Sequence, residues 1–402
     1  MNSMDSYKKA VLLVIDGLGD LPTPKTPLQI AKKPNLDKLA KNGITGLMST
    51  IAMGIVPGSD TSHLQLFGYE PMQFYPGRGP LEALGIGIEL EQGDIAFRAN
   101  FATVTDDLSI IDRRAGRIET AIGKELEKSV NMKIEDVEAI FKSSVEHRGA
   151  LVLRGPGLSA SVTPTDPHGP GKVLESAPLE PGAEKTARIL NKFSKEVYAR
   201  LKKAEANKGR KLPANMILLR GPGPFRYVPS MFEMFGISSA CVAGGALYKG
   251  VARYVGMDVI NVEGATGTKD TNLKAKANAA VNALKDHDFV FLHVKACDSF
   301  GHDGDCKGKA KMIERIDKEL ISILAKSGAY LVITGDHSTP CSRKGHSGHE
   351  IPILVYGKDE RTDDVKNFDE ISCMKGGLGH ITGRDVLPII LNLIEKSMMY
   401  GT

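Results

Sequence analysis

With 402 residues, 42% of them hydrophobic and 25% charged, the chain has an ordinary globular composition and enough length for two domains. A net charge of +4 from 52 basic and 48 acidic side chains excludes a nucleic-acid coat or an acidic tail, but leaves room for a local cationic pocket that takes an anionic substrate. No apolar run is long enough to span a membrane, and the apolar stretch near the N-terminus ends at Asp16 after about six residues, too short for a signal-peptide core, so the chain reads as cytoplasmic.

The cysteines, Cys241, Cys297, Cys306, Cys341 and Cys373, are odd in number and form no CxxC pair. That fits neither a disulfide framework nor a zinc knuckle, so they read as reduced structural residues. In chain order, Ala10 to Ile15 is a near-continuous apolar run, the mark of a strand buried on both faces. It stops at Asp16-Gly17, which puts Asp16 at the carboxyl edge of a sheet. A short helix follows, with Pro34 near its start and Gly43 just past its end. Ile44 to Ile51 reads as a second strand feeding VPGSDTSHLQLFGY. Pro57 and Gly58 mark a turn there, and the apolar run from Leu64 predicts that Ser59 lies where a loop meets a helix N-terminus. A hydroxyl in that positive field is stabilised as an alkoxide. On this stretch alone, helix capping by Ser59 or Thr61 is the competing reading.

From about Gly77 the texture changes. Arg98, Arg113, Arg114 and Arg117 fall in strand and turn contexts, Glu135 to Lys142 reads as a helix, and GALVLRG as a strand. The Pro/Gly-rich loop VTPTDPHGPGKV and a long helix from Ala183 to about Lys208 follow. At Asn215 short apolar strands return as MILL, SACVAGG, DVINV, FVFLHV, AYLVIT and IPILVY, with helical stretches such as Thr271 to Asp286 and Lys309 to Lys326 between them. Thr382 and Asp385 form a capping box ahead of a last helix, Val386 to Lys396. The expected fold is a doubly wound α/β core made of residues 1–76 and 216–402, interrupted by a smaller inserted α+β domain, 77–215.

Parallel sheets carry ligand-binding groups at the carboxyl ends of their strands. VLLVI ends in Asp16, FVFLHVKAC in Asp298 with His302 four residues on, LVITG in Asp336-His337, and His346 lies in the loop before IPILVY. With Ser59, three carboxylates, three imidazoles and a hydroxyl are directed to one edge. Carboxylates gathered in this way repel strongly unless cations lie between them. Seven ligands suit two divalent metals about 4 Å apart, a spacing that clamps a nucleophile and a phosphoryl group. Taken singly, an Asp after a strand is as often a helix cap, and a histidine more often an ordinary hydrogen-bonded one; the specificity lies in the combination. His349, three residues from His346 with a glycine between, does not form a zincin-type helix, and His293 alternates within a strand and reads as core or lining. Gly17-Leu-Gly19 lacks the third glycine of a dinucleotide loop, and GATGTKDT lacks P-loop spacing.

The set VIDGLGD, PGSDTSHLQLFGYEP, the DxxxH of Asp298 and His302, TGDHSTPC and KGHSGHEIP resembles the archaeal-type cofactor-independent phosphoglycerate mutases of the alkaline phosphatase superfamily. The similarity continues through AGGALYKGVARYVGM and VEGATGTKDTN. It implies an alkaline phosphatase-like core in which Ser59 is the phosphorylated nucleophile. One metal would be held by Asp16, Ser59, Asp336 and His337, the other by Asp298, His302 and His346. The resemblance also implies Lys249 in ALYKG as the serine-activating lysine. Asp60 and His63 would bind phosphate or assist proton transfer, with capping or packing as their alternative. The implied reaction is interconversion of 3-phosphoglycerate and 2-phosphoglycerate without 2,3-bisphosphoglycerate, in glycolysis and gluconeogenesis. Manganese, zinc, cobalt and magnesium all suit the ligand types. A mutase must hold the glycerate and exclude water between transfers. The inserted domain is therefore expected to cover the substrate, with Arg114, Arg117, Arg148, His168 and Arg220 as the residues that bind it and His147 and Asp166 as weaker candidates. A metal-dependent phosphomonoesterase or another phosphosugar mutase of the same superfamily is the alternative. The expected partner is the small-molecule substrate, with no nucleic acid and no membrane; homo-oligomerisation stays open.

Overall fold

The computed structural model describes residues 8–399 and 401, so the first seven residues of the N-terminal stretch read above lie outside the described ones. The chain divides into two compact units, one running up to Tyr75 and resuming at Pro229, the other spanning Pro76–Val228. A proline follows each crossing, where its fixed φ and missing N–H suit a connector better than a sheet interior. Among the described residues no helix is long and apolar enough to cross a membrane.

In chain order the first unit begins with β1 (Ala10–Ile15), α1 (Pro34–Lys41), β2 (Ile44–Ser49) and α2 (Ser59–Leu66). The second unit contributes β3 (Ile95–Val104), β4 (Ile110–Asp112), β5 (Met132–Ile134), β6 (Val137–Ser143), β7 (Arg148–Arg154), α3 (Glu184–Lys203) and β8 (Met216–Pro224). The first unit then resumes with β9 (Ser239–Val242), α4 (Ala246–Tyr254), β10 (Asp258–Val259), α5 (Leu273–Ala283), β11 (Phe289–Val294), α6 (Ala296–Asp303) and α7 (Cys306–Ile316). It ends with β12 (Tyr330–Thr334), β13 (Ile351–Tyr356), β14 (Gly379–Thr382) and α8 (Val386–Leu393). Pro34 stands at the first turn of α1, and Thr382 and Asp385 close a reciprocal capping box just ahead of α8.

The first unit is built on an eight-stranded sheet of order β10-β9-β11-β1-β12-β13-β2-β14, parallel except for β13, which runs against both its neighbours. All six side chains of β1 are buried, as an unbroken apolar run requires of a central strand covered on both faces. Val11, Leu13 and Ile15 pack on one face with Leu273, Ala277 and Ala280 of α5 and with Ile313 and Ile316 of α7. The register sets three strand ends level, with Ile15 beside Val294 and Val14 beside Thr334. Asp16, the segment Lys295–Asp298 and Asp336 therefore leave the sheet along one edge.

The second unit holds an antiparallel sheet of order β4-β3-β7-β6-β5, with β8 also paired to β3. Ile95, Phe97, Ala99 and Phe101 of β3 pack against Ile189, Leu190, Phe193 and Val197 of α3. The opposite face of β3 carries Arg98, paired with Arg220 of β8, and Asn100, paired with Arg148 of β7. Phe193 is fully buried in this core. Phe193→Ala is expected to cost about 3–5 kcal/mol, read as a lower denaturant midpoint at unchanged slope. A loss below about 1 kcal/mol would show that α3 is not a principal wall of that core.

Two sequence expectations fail. Glu135–Lys142 forms no helix, because Glu135 (φ 56°) and Asp136 turn between β5 and β6, and Val137–Ser143 alternates buried and open positions along a strand. Period-two burial of Val137, Ala139 and Phe141 outweighs the helix propensity of the intervening Glu and Lys. Met216–Leu219 is a strand, but it belongs to the second unit, where β8 runs antiparallel to β3 from Ala102 beside Met216 to Ile95 beside Pro224. The return to the first unit falls at Pro229 and not after residue 215. An apolar run predicts a strand without naming its sheet.

Candidate functional site

Three strand ends and two loops of the first unit bring the seven expected ligands together. Gly17 has φ +64°, and a Cβ there would sit 2.7 Å from the Asp298 Cα, so glycine is what lets the turn after Asp16 approach α6. A Cβ at Gly301 would likewise meet the Thr339 carbonyl at 2.4 Å, which shows how closely α6 lies against the segment after β12. Ser59 is the first residue of α2, and the preceding Gly58 offers no side-chain cap. The dipole of the first turn therefore acts on the Ser59 hydroxyl, while the Thr61 N–H of that turn is taken by Asp60 Oδ1. Thr61 Oγ1 donates to the Gly58 carbonyl at 3.0 Å and is not the cap either.

Ser59 Oγ lies 3.2 Å from His337 Nε2, which is 3.5 Å from Asp16 Oδ1 and 3.2 Å from Asp336 Oδ2. Beside this group, Asp298 Oδ1 is 3.3 Å from His302 Nε2 and 3.5 Å from His346 Nε2. The His337 and His346 rings stack with centroids 3.6 Å apart, so the two groups adjoin. Each imidazole presents Nε2 because its Nδ1 is engaged. His302 Nδ1 donates to the Lys344 carbonyl and His346 Nδ1 to the Pro57 carbonyl, each at 3.1 Å. Thr339 Oγ1 donates to Asp298 Oδ1 at 2.9 Å, and so accepts from His337 Nδ1 at 3.0 Å. A carbonyl only accepts, which fixes the Nδ1–H tautomer and turns the Nε2 lone pairs toward carboxylate oxygens.

Lone pairs facing carboxylates repel unless a positive charge lies between them. Asp16 and Asp336 are wholly buried, and Asp16 Oδ1 and Asp336 Oδ2 have no hydrogen-bond partner among the described residues. Burial, reinforced by the charge of Asp16, pushes Asp336 up to about 7, and burial pushes His337 down to about 3. Burial and the Asp16 charge also oppose ionisation of Asp298, yet the Lys295 ammonium beside it helps hold it well below the usual carboxylate range. Orphaned carboxylate oxygens beside three imidazole nitrogens, with no thiolate among them, fit divalent cations.

Lys295 carries no role in the sequence reading, but its Nζ lies 2.8 Å from Asp298 Oδ2 and 3.3 Å from Asp16 Oδ2. Burial disfavours its charge, but Asp16, Tyr248 and Asp298 outweigh that and raise its pKa well above the ordinary lysine value. Lys249, the lysine expected beside the serine, donates instead to Asn261 Oδ1 at 3.2 Å. Its neighbour Tyr248 donates to Asp16 Oδ2 and stacks on His293 with ring centroids 3.6 Å apart. His293 Nε2 is 3.2 Å from Asp16 Oδ2, so this residue lines the site from beneath. His63 is fully buried, with Nδ1 2.6 Å from the Ser59 carbonyl and its ring edge-on to Tyr248, Phe291 and His293. That burial fits positioning of Ser59 better than contact with a substrate. Asp60 accepts from the Tyr75 hydroxyl at 2.7 Å and the Thr61 N–H at 3.1 Å.

The remaining expected residues lie in the second unit and form a cationic cluster there. Burial, and then the surrounding Arg148, Arg114, Arg117 and Arg98, push His147 down to about 4. Arg98 is lowered to about 10 by burial and by Arg78, Arg220 and Arg148, against the pull of Glu82. Asp166 accepts from Arg113 Nη2 at 2.8 and 2.7 Å and from the His168 N–H at 2.9 Å, and lies 3.8 Å from Arg220 Nη1. Arg117 and His168 sit at φ 54° and 61°, a region that non-glycine residues rarely adopt.

A family model described as the Metalloenzyme superfamily matches residues 8–393. The chain is 48% identical to 2,3-bisphosphoglycerate-independent phosphoglycerate mutase 1 of Methanocaldococcus jannaschii, over 98% of this chain and 99% of that protein. Among solved structures it resembles the cofactor-independent phosphoglycerate mutase from Thermoplasma acidophilum, at 37% identity and TM-score 0.72, covering 96% of this chain and 100% of that one. It also resembles the PH0037 protein from Pyrococcus horikoshii, at 38% identity and TM-score 0.86, covering 98% and 100%. A divalent-cation donor set at one sheet edge, on a chain related to these proteins from end to end, leads to one assignment: the chain belongs to the Metalloenzyme superfamily and, within it, to the 2,3-bisphosphoglycerate-independent phosphoglycerate mutases.

Proposed function

We propose that this chain interconverts 3-phosphoglycerate and 2-phosphoglycerate through a phosphoserine at Ser59, beside two divalent cations drawn from manganese, zinc, cobalt or magnesium. The observation that carries the reading is the Ser59 hydroxyl at a helix N-terminus, 3.2 Å from His337 Nε2 and next to the unpartnered oxygens of Asp16 and Asp336. One cation would be held by Asp16, Ser59, Asp336 and His337, the other by Asp298, His302 and His346. When bound, they lower the pKa of the Ser59 hydroxyl and offset charge on the transferring phosphoryl oxygens.

The rest falls to the chain's own residues. The dipole of α2 stabilises an anionic Ser59 oxygen, and the buried His63, bonded to the Ser59 carbonyl, holds the helix. Lys295, between Asp16 and Asp298, adds a positive charge at the same edge and takes the part expected of Lys249. Ser59 Oγ attacks phosphorus as one glycerate oxygen leaves with a proton; the other glycerate hydroxyl then takes the phosphoryl group and returns the serine. Between those transfers the glycerate must stay bound and water must stay out. Arginine forks onto carboxylates, so Arg114, Arg117, Arg148 and Arg220, with His168, are the residues of the second unit suited to hold the substrate's carboxylate. Turnover of this kind belongs to glycolysis and gluconeogenesis in the cytoplasm.

The test is the product formed by the metal-loaded chain from 3-phosphoglycerate without added 2,3-bisphosphoglycerate. The expected product is 2-phosphoglycerate; free phosphate as the main product would favour a phosphomonoesterase. Lys295→Met is expected to lower kcat about 100-fold, whereas Lys249→Met stays within about threefold of the parent. The reverse ranking in a steady-state assay would return the activating role to Lys249.

A further inference from the structure

We infer that Cys306 and Cys341 form a redox-active dithiol that a small-molecule disulfide converts to a protein disulfide, tying together two segments that carry the proposed metal ligands. The two Sγ atoms and a carboxylate oxygen of Asp20 all lie within 4.8 Å of one another, and both thiols are free. Cys306 is the first residue of α7, behind the capping side chain of Asp305, and is only half-buried, so a reagent can reach it. Cys341 is buried and donates its S–H to Asp20 Oδ2 at 3.2 Å. Burial, and after it the Cys306 thiol and the Asp20 carboxylate, raise the Cys341 pKa well above the ordinary thiol value. The accessible Cys306 is therefore the attacking thiol, and Cys341 the resolving one.

A metal ion is the competing occupant of this triad, and Asp20 argues against it. Asp20 Oδ1 accepts from the Leu21 N–H at 2.9 Å and the Cys341 N–H at 3.2 Å, while Oδ2 accepts from Lys309 Nζ at 2.8 Å. Lys309 is itself fully buried and also donates to the carbonyls of Gly19 and Thr339, at 3.0 and 3.1 Å. A second cation on Asp20 would meet that ammonium at contact distance. With Asp20 already engaged, the two thiols are left to each other.

The exchange balances in two steps. Cys306 Sγ gives up its proton, attacks one sulfur of an oxidised small thiol RSSR and expels RS⁻, which takes that proton. Cys341 Sγ then attacks Cys306 Sγ in the mixed disulfide and expels a second RS⁻, which leaves as RSH with the Cys341 proton. The protein pair loses two electrons and RSSR gains them. Cys306 follows α6, which carries Asp298 and His302, and Cys341 lies between His337 and His346. These segments already meet, since a Cβ at Gly304 would sit 3.3 Å from the Cys341 carbonyl. The cross-link closes a loop that contains β12, Asp336 and His337, and restricts it in the unfolded chain.

The test treats the metal-loaded chain with oxidised glutathione, followed by alkylation, intact mass and peptide mapping. The expected result is the loss of two hydrogens, a linked Cys306–Cys341 peptide and full reversal by dithiothreitol. Oxidation should raise the apparent Tm by about 5 °C. Cys306→Ser should remove both the linkage and the Tm shift, and Cys341→Ser should stop the reaction at a glutathione adduct on Cys306. Should Cys341→Ser fail to fold, the half-buried Cys306→Ser still decides the matter. Separate adducts on both thiols, linkage to a different cysteine, or zinc protecting both thiols from alkylation would each overturn the inference. Thiol counts do not depend on Ser59, so failure here leaves the mutase reading untouched.

Discussion

Ser59→Ala is expected to lower mutase turnover by about 10,000-fold or more while leaving the fold and the metal content largely intact. The residue is the first of α2, and its side chain caps nothing, because Gly58 is the N-cap and offers no side-chain bond. Removing the hydroxyl therefore leaves the helix start unchanged. It also leaves Asp16, Asp336 and His337, which make up the buried donor set without it. What disappears is the hydroxyl oxygen 3.2 Å from His337 Nε2, the proposed acceptor of the phosphoryl group. The residual rate would come from binding and electrostatics alone. Steady-state kinetics, circular dichroism and a metal-to-protein ratio measured together decide this, and near-normal turnover in the variant would exclude the serine as nucleophile.

Asp298→Asn should reduce turnover about 1,000-fold and lower the metal-to-protein ratio. The substitution keeps the shape of the side chain and removes its charge. Asp298 Oδ1 is the atom on which His302 Nε2, His346 Nε2 and the Thr339 hydroxyl converge, at 3.3, 3.5 and 2.9 Å. An amide there leaves two imidazole lone pairs without an anionic partner to share a cation. It also leaves Lys295 with Asp16 as its only carboxylate of the pair it now bridges. In the parent, chelation should inactivate reversibly and added metal should restore the rate. Lost turnover with full metal content would assign Asp298 to orienting Lys295 and not to holding a cation.

The parts of this site that were legible in the sequence are those set by local pattern. An apolar run that ends in a polar residue marks a sheet edge, and the register of β1, β11 and β12 does set Asp16, Asp298 and Asp336 along one. Ser59 was legible because a Pro-Gly turn precedes a helix-forming run. That Tyr248, and not Lys249, faces Asp16 was not. Both lie on α4, where adjacent residues point about 100° apart, so a shift of one position turns the side chain from Asp16 to Asn261. Lys295 was missed because its two carboxylate partners come from α6 and from the end of β1, and the β1–β11 pairing that brings Asp16 close is non-local. The same holds for Arg98, which alternation along β3 turns away from the Phe97 and Phe101 core but which only the β3–β8 register sets beside Arg220. Helix or sheet in Glu135–Lys142 turned on burial that its partner strands decide.

A phosphoryl group that passes through Ser59 can be trapped there during turnover. The metal-loaded chain would be mixed with 3-phosphoglycerate labelled in its phosphoryl group, quenched in acid during turnover and digested for peptide mapping. The expected result is label on the peptide that contains Ser59, on that serine alone, at a level that falls as substrate is exhausted. Sustained formation of 2-phosphoglycerate with no label on Ser59, or with label on another residue, would contradict it.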